Sequence, residues 1–118
     1  MSHQKFKWHK IAETILELPF NSNNLLVVEA GGKSVTLAKI NDKLYACAYK
    51  CPHAGGILAD GIIDAAGNIV CPLHRYKFSL QNGRNTSGEG YHLKTYVAEI
   101  RDDGVYIGFE DKGLFRWL

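Results

Sequence analysis

Apolar positions in this chain fall into short runs separated by turn signals, with little of the 3.6-residue period of an amphipathic helix. The runs from Leu25 to Glu29, Lys33 to Ile40 and Lys43 to Tyr49 are rich in Val, Leu, Thr and Tyr and alternate in part between apolar and polar positions. Gly31-Gly32 and Asn41-Asp42 lie between them and favour the positive φ angles of tight hairpins. Three consecutive antiparallel strands in a meander are therefore predicted. Near the C-terminus, Lys94 to Arg101 and Val105 to Phe109 flank Asp102-Asp103-Gly104, with Tyr96, Ala98 and Ile100 on one face of the first run, which predicts a further hairpin.

Between meander and hairpin, Cys51 to Leu80 carries Gly55, Gly56, Gly61 and Gly67 around two short apolar runs, Gly61 to Ile63 and Ile69 to Cys71. Such a segment suits close backbone approach. Ile11 to Leu18 has apolar residues at a spacing that both a short helix and an irregular strand fit. Many short strands with frequent turns predict an all-β fold, an antiparallel sandwich or small barrel. The chain of 118 residues suits one domain with one core, spanning 1–118.

Composition narrows the function. The formal charge of +2 comes from 14 basic and 12 acidic residues spread along the chain, without the clustered basic stripe that nucleic acid requires. No apolar stretch reaches the roughly 18 residues that span a bilayer, so no membrane role and a soluble, cytoplasmic protein are expected. Three cysteines cannot all pair, and metal ligation accounts for them better than a disulfide framework.

The candidate chemistry lies in Cys51-Pro52-His53, then 17 residues from Ala54 to Val70, then Cys71-Pro72-Leu73-His74. Each pair places a thiolate and an imidazole on one short loop. Two thiolates and two imidazoles satisfy a [2Fe-2S] cluster with one His-ligated iron, and they also satisfy tetrahedral zinc. Zinc fingers commonly order their ligands Cys, Cys, His, His, whereas here the types alternate. A Cys-His nucleophile would need an orienting third group and a cleft, and the sequence shows neither. Cys47 groups by alternation with Tyr45 and Tyr49 and reads as a small buried hydrophobe. His3, His9 and His92 have no partner spacing, and Trp8 and Trp117 read as packing residues.

The pattern C-x-H, spacer, C-x-x-H resembles Rieske [2Fe-2S] proteins. Tyr45-Ala46, Gly55, Leu58, Phe78, Asn82-Gly83 and Leu93 to Tyr106 extend the likeness over residues 25 to 109. The resemblance implies a base β-domain with a two-loop cluster-binding subdomain inserted at about residues 46–80. One [2Fe-2S] cluster would be held by Cys51 and Cys71 on a buried iron and by His53 and His74 on an outer iron near the surface.

High-potential members tie the two loops with a disulfide and hydrogen-bond the cluster sulfurs through a Ser and a Tyr. Here Leu73 and the run Ala54-Gly55-Gly56-Ile57 offer no bridging cysteine, and Tyr76 and Phe78 stand in place of the Ser and the Tyr. Fewer donors imply a potential at the low end of the family range. The chain lacks the mononuclear-iron ligand set of an oxygenase subunit. The resemblance therefore implies a non-enzymatic ferredoxin that takes electrons from a flavin-dependent NAD(P)H reductase and passes them to an oxygenase or another oxidoreductase. The alternatives are the small subunit of an NAD(P)H-dependent nitrite reductase and, third, a structural zinc module. Arg75-Tyr76 replaces the Gly and Trp that many relatives carry after the second histidine, and Ser87 to His92 lacks the proline often present there.

Overall fold

Why β-strands dominate is visible in the turns. Gly31 and Gly32 have φ of 58° and 80°, and Asn41 has φ of 54°, so both meander turns adopt the left-handed conformations that match strand twist. The computed structural model describes residues 5–111. Its strands are β1 (Phe6–Ala12), β2 (Leu25–Ala30), β3 (Lys33–Ile40), β4 (Lys43–Ala48), β5 (Ile62–Ile63), β6 (Asn68–Val70), β7 (Lys77–Ser79), β8 (Thr95–Arg101) and β9 (Gly104–Glu110). Six of them form a curled antiparallel sheet in the order β1-β9-β8-β4-β3-β2, and β5-β6-β7 form a second, three-stranded sheet. The all-β expectation holds, as do the meander and the terminal hairpin.

Ile11 to Leu18 resolves into both of its alternatives: Ile11 and Ala12 end β1, and Ile15–Glu17 forms a single 3₁₀ turn capped by the Thr14 hydroxyl, which accepts from the Leu16 N–H at 3.1 Å. Strand β1 itself lacks a strong apolar run and forms by pairing with β9, from Phe6 opposite Glu110 to Ala12 opposite Val105. Non-local pairing decides it.

Strands β3 and β4 separate two apolar clusters. Val35, Leu37, Leu44 and Ala46 face one cluster with Ala30, Val105 and Ile107. Their neighbours Ala38, Tyr45 and Cys47 face the other, with Leu58, Ile69, Phe78, Leu80 and Leu93. Burial on both faces explains the nearly continuous apolar reading of β3, where Val35 to Ala38 are all buried. Thr36, the polar exception, donates from Oγ1 to the Ala48 carbonyl at 3.0 Å. The second cluster joins the small sheet to the large one, and Cys51 and Cys71 belong to it.

On the hairpin, Tyr96 and Ala98 pack toward the first cluster, but Ile100, predicted on the same face, is exposed where β8 approaches its turn. Trp8 packs at the sheet surface, with the Arg101 guanidinium over its ring at 4.5 Å. His3 and Trp117 lie outside the described residues.

Candidate metal centre

Each Cys-His pair sits on a six-residue loop closed in the same way. The Cys51 N–H donates to the Gly56 carbonyl at 2.8 Å, and the Cys71 N–H donates to the Tyr76 carbonyl at 2.9 Å. Proline follows each cysteine, where its missing N–H leaves no donor to satisfy and its fixed φ starts the turn. The first loop turns back through Gly55 at φ 73°, whose N–H reaches the Cys51 carbonyl at 3.0 Å. The second turns through His74 and Arg75, at φ 62° and 59°.

The loops are anchored from behind. The Leu58 N–H donates to the Tyr49 carbonyl, while Asn21 and Asn23 donate from their side-chain amides to the carbonyls of Ala59 and Gly61, each at 3.1 Å. β5 and β6 carry the chain into the second loop, and β7 carries it out.

All four predicted residues come together. Cys51 is 2% exposed and Cys71 0%, whereas His53 is half-buried and His74 exposed. Cys51 Sγ lies 3.0 Å from His53 Nδ1, and His53 Nε2 lies 3.0 Å from His74 Nδ1. The donor atoms of Cys51, His53 and Cys71 lie within 4.8 Å of one another. Loop contact is close: a Cβ on Gly56 would stand 3.0 Å from Cys71 Sγ and 3.1 Å from Leu73 Cγ.

Burial pushes the Cys71 thiol up to about 11; the Leu73 N–H opposes this and the neighbouring Cys51 adds to it. Burial alone pushes Cys47 up to about 12, which fits the inert packing residue expected of it. Cys47 shares the apolar cluster of Cys51 and Cys71, with Tyr45 packed against it, but is not among the grouped donor atoms. His9 packs with its ring tilted 54° to that of Phe109, 5.3 Å between centroids, and His92 pairs with Arg84 through the backbone.

Two soft thiols held in the core and two imidazoles at the surface, facing across two loops, fit a mixed-ligand iron-sulfur cluster: the anionic donors are fixed and desolvated, and the neutral ones border solvent. A Cys-His nucleophile fits poorly. The thiol of Cys51 is buried, and the far nitrogen of His53 meets another imidazole instead of an orienting carboxylate or amide. A cavity of about 410 Å³ lined by Phe6, Lys33, Tyr96 and Phe109, among others, contains none of the four residues.

Sequence reasoning missed the aromatic wall beside His53. The Tyr76 ring lies 4.0 Å from the His53 ring at 33°, and Tyr91 stands 5.9 Å from His53 and 5.8 Å from Tyr76. Tyr91 and Leu73 are 42% and 44% exposed, so the histidines lie within a partly apolar rim. No local period marks this wall, since Tyr91 reaches it from a segment remote in sequence. Among the described residues no helix is long and apolar enough to cross a membrane.

The Rieske [2Fe-2S] domain family model matches residues 7–97. The ferredoxin component of a naphthalene 1,2-dioxygenase system from Pseudomonas aeruginosa is 29% identical over 97 residues, covering 81% of this chain and 90% of the relative. A solved protein named as a putative nitrite reductase NADPH (small subunit) superposes with a TM-score of 0.70 at 27% identity, over 86% of this chain and 97% of that one. A chain of the complex between reduced oxygenase and oxidized ferredoxin of carbazole 1,9a-dioxygenase gives a TM-score of 0.73 at 23% identity, over 89% and 95%.

Proposed function

The chain belongs to the Rieske [2Fe-2S] domain family, and from that premise we propose that it is a ferredoxin carrying single electrons between partner proteins, with Cys51, His53, Cys71 and His74 as the cluster ligands. When bound, the cluster supplies one reversible electron per cycle. The observation that carries the reading is the split in burial: both thiols are buried in the core, and both imidazoles sit at the rim. Thiolates fixed in the core anchor the group through oxidation and reduction, and imidazoles at the surface shorten the path to a docked protein. Residues 1–118 form one domain on this reading, with 46–80 as the inserted cluster-binding part.

The naphthalene dioxygenase ferredoxin and the carbazole oxygenase–ferredoxin complex support an oxygenase as the acceptor class. A flavin-dependent NAD(P)H reductase would be the donor. The absence of hydroxyl donors at Phe78 and of a disulfide between the loops supports a low potential within the roughly −150 to +300 mV of Rieske centres. A second reading, the small subunit of a nitrite reductase, is favoured by the 27% identity to the solved protein so named over 86% of this chain.

The test is protein purified without air, its ultraviolet-visible and electron paramagnetic resonance spectra recorded before and after dithionite. A brown protein whose reduced signal has an average g below that of all-Cys clusters is expected. A colourless protein with one zinc per chain would overturn the carrier reading. Co-purification in a fixed ratio with a large flavin or haem subunit would replace the ferredoxin with the nitrite reductase subunit.

A further inference from the structure

The segment from Asn85 to Tyr91 closes over the site without a proline, held by the side chain of Asn85. Its Nδ2 donates to the Lys77 carbonyl at 3.0 Å, to Ser87 Oγ at 3.2 Å and to Glu89 Oε1 at 2.9 Å. Its Oδ1 accepts from the Gly90 N–H at 2.7 Å. The backbone of Lys77 completes the fastening, its N–H donating to Ser87 Oγ at 2.9 Å and its carbonyl accepting from the Thr86 N–H at 2.9 Å. One partly buried amide thus connects the residue after Tyr76 to the residue before Tyr91. Those two tyrosines are the rings that wall His53.

We propose that Asn85 is a positioning residue of the cluster site, holding the 85–91 segment closed so that Tyr91 stays beside His53 and lowers the reduction potential. The inference rests on the cluster assignment above and specifies what tunes that site. Reduction adds one negative charge. The Tyr91 ring, 5.9 Å from that of His53, covers the imidazole and limits the water that would solvate this charge. This lowers the potential. Loosening the segment weakens the effect.

The experiment compares Asn85→Ala with the wild type as cluster-loaded proteins, by redox titration at fixed pH and by hydrogen exchange of the 85–91 peptide. Faster exchange in 85–91 together with an upward shift of midpoint potential is expected. Faster exchange at an unchanged potential would make Asn85 a structural fastener only, and unchanged exchange would remove even that role; either result overturns the proposal. Should Asn85→Ala not load, Tyr91→Ala leaves the Asn85 bonds in place and should raise the potential by admitting water, whereas Tyr91→Phe keeps the ring and the wild-type value. An unshifted Tyr91→Ala overturns the proposal. A wild type without the mixed-ligand signal signals failure of the cluster assignment instead.

Discussion

The two loops of the site are closed by the same bond and turned by different residues. In the first, Cys51 to Gly56, the left-handed turn falls on Gly55, which adopts φ 73° without strain. In the second, Cys71 to Tyr76, two side-chain-bearing residues take that conformation, His74 at 62° and Arg75 at 59°. Each left-handed L-residue costs roughly 1–2 kcal/mol. The second loop is therefore strained where the first is relaxed, and it persists because β6 and β7 pair on either side of it. A shared closing bond does not imply equal stability.

The comparison is broken most strongly at the ligands. Cys71→Ser or Cys51→Ser should abolish cluster binding, with iron per chain falling to near zero, because on the proposed assignment each buried thiol anchors the group in the core. Retained iron in either variant would contradict the shared anchoring. Replacing His53 and His74 together by Cys should keep a cluster but move its potential toward the about −400 mV of plant-type centres, as read by redox titration.

A smaller effect tests whether the loops touch. Gly56→Ala places a methyl 3.0 Å from Cys71 Sγ, so the second loop must yield by a few tenths of an ångström. Lower cluster retention under chelator challenge is expected, with the fold intact by circular dichroism.

The strain difference predicts opposite signs for two glycine exchanges. Gly55→Ala meets no atom within 4 Å, yet should destabilise by roughly 1–2 kcal/mol through its backbone alone. Arg75→Gly should stabilise by up to about 1 kcal/mol, the relieved strain being partly offset by the greater freedom of glycine in the unfolded chain. Denaturant midpoints measure both. Equal signs would remove the distinction between the loops.

The smallest effect concerns the turn that leads into the second loop. Burial works to raise the Asp64 pKa, but the N–H groups of Asn68 and Ala66, the Asn68 amide and Lys77 outweigh it and leave the carboxyl below its ordinary 3.8. A depressed folded pKa contributes stability above the unfolded value, and this contribution is lost as pH falls through the folded one. The thermal midpoint should therefore drop more for the wild type than for Asp64→Asn between about pH 5 and about pH 3. The Asp64 side chain is 21% exposed and its Lys77 partner 46%, so solvent screens the pair and the difference should be small.

Legibility from sequence followed the range of the interactions involved. The meander strands, their turns and the terminal hairpin were readable because alternation and turn chemistry are local; Lys33–Ile40 coincides with its strand at both ends. Strands β1 and β7 were not foreseen, since Phe6–Ala12 is extended only by pairing with β9 and Lys77–Ser79 only by pairing with β6. Ile100 keeps its predicted face, paired opposite Val105, but is exposed because the strand end near the turn no longer covers the core.

At the site, the sequence by itself determined the candidate ligand types, their grouping in two loops and the punctuation by proline and glycine. These are properties of short stretches, read from a spacing that metal chemistry requires. Only the tertiary structure decided which ligands are buried, how closely Gly56 lets the loops approach, and that Tyr76, Tyr91 and Asn85 converge on His53. Those outcomes depend on contacts between segments far apart along the chain, where closure is set by the packing of two sheets around one apolar cluster and leaves no local period to read.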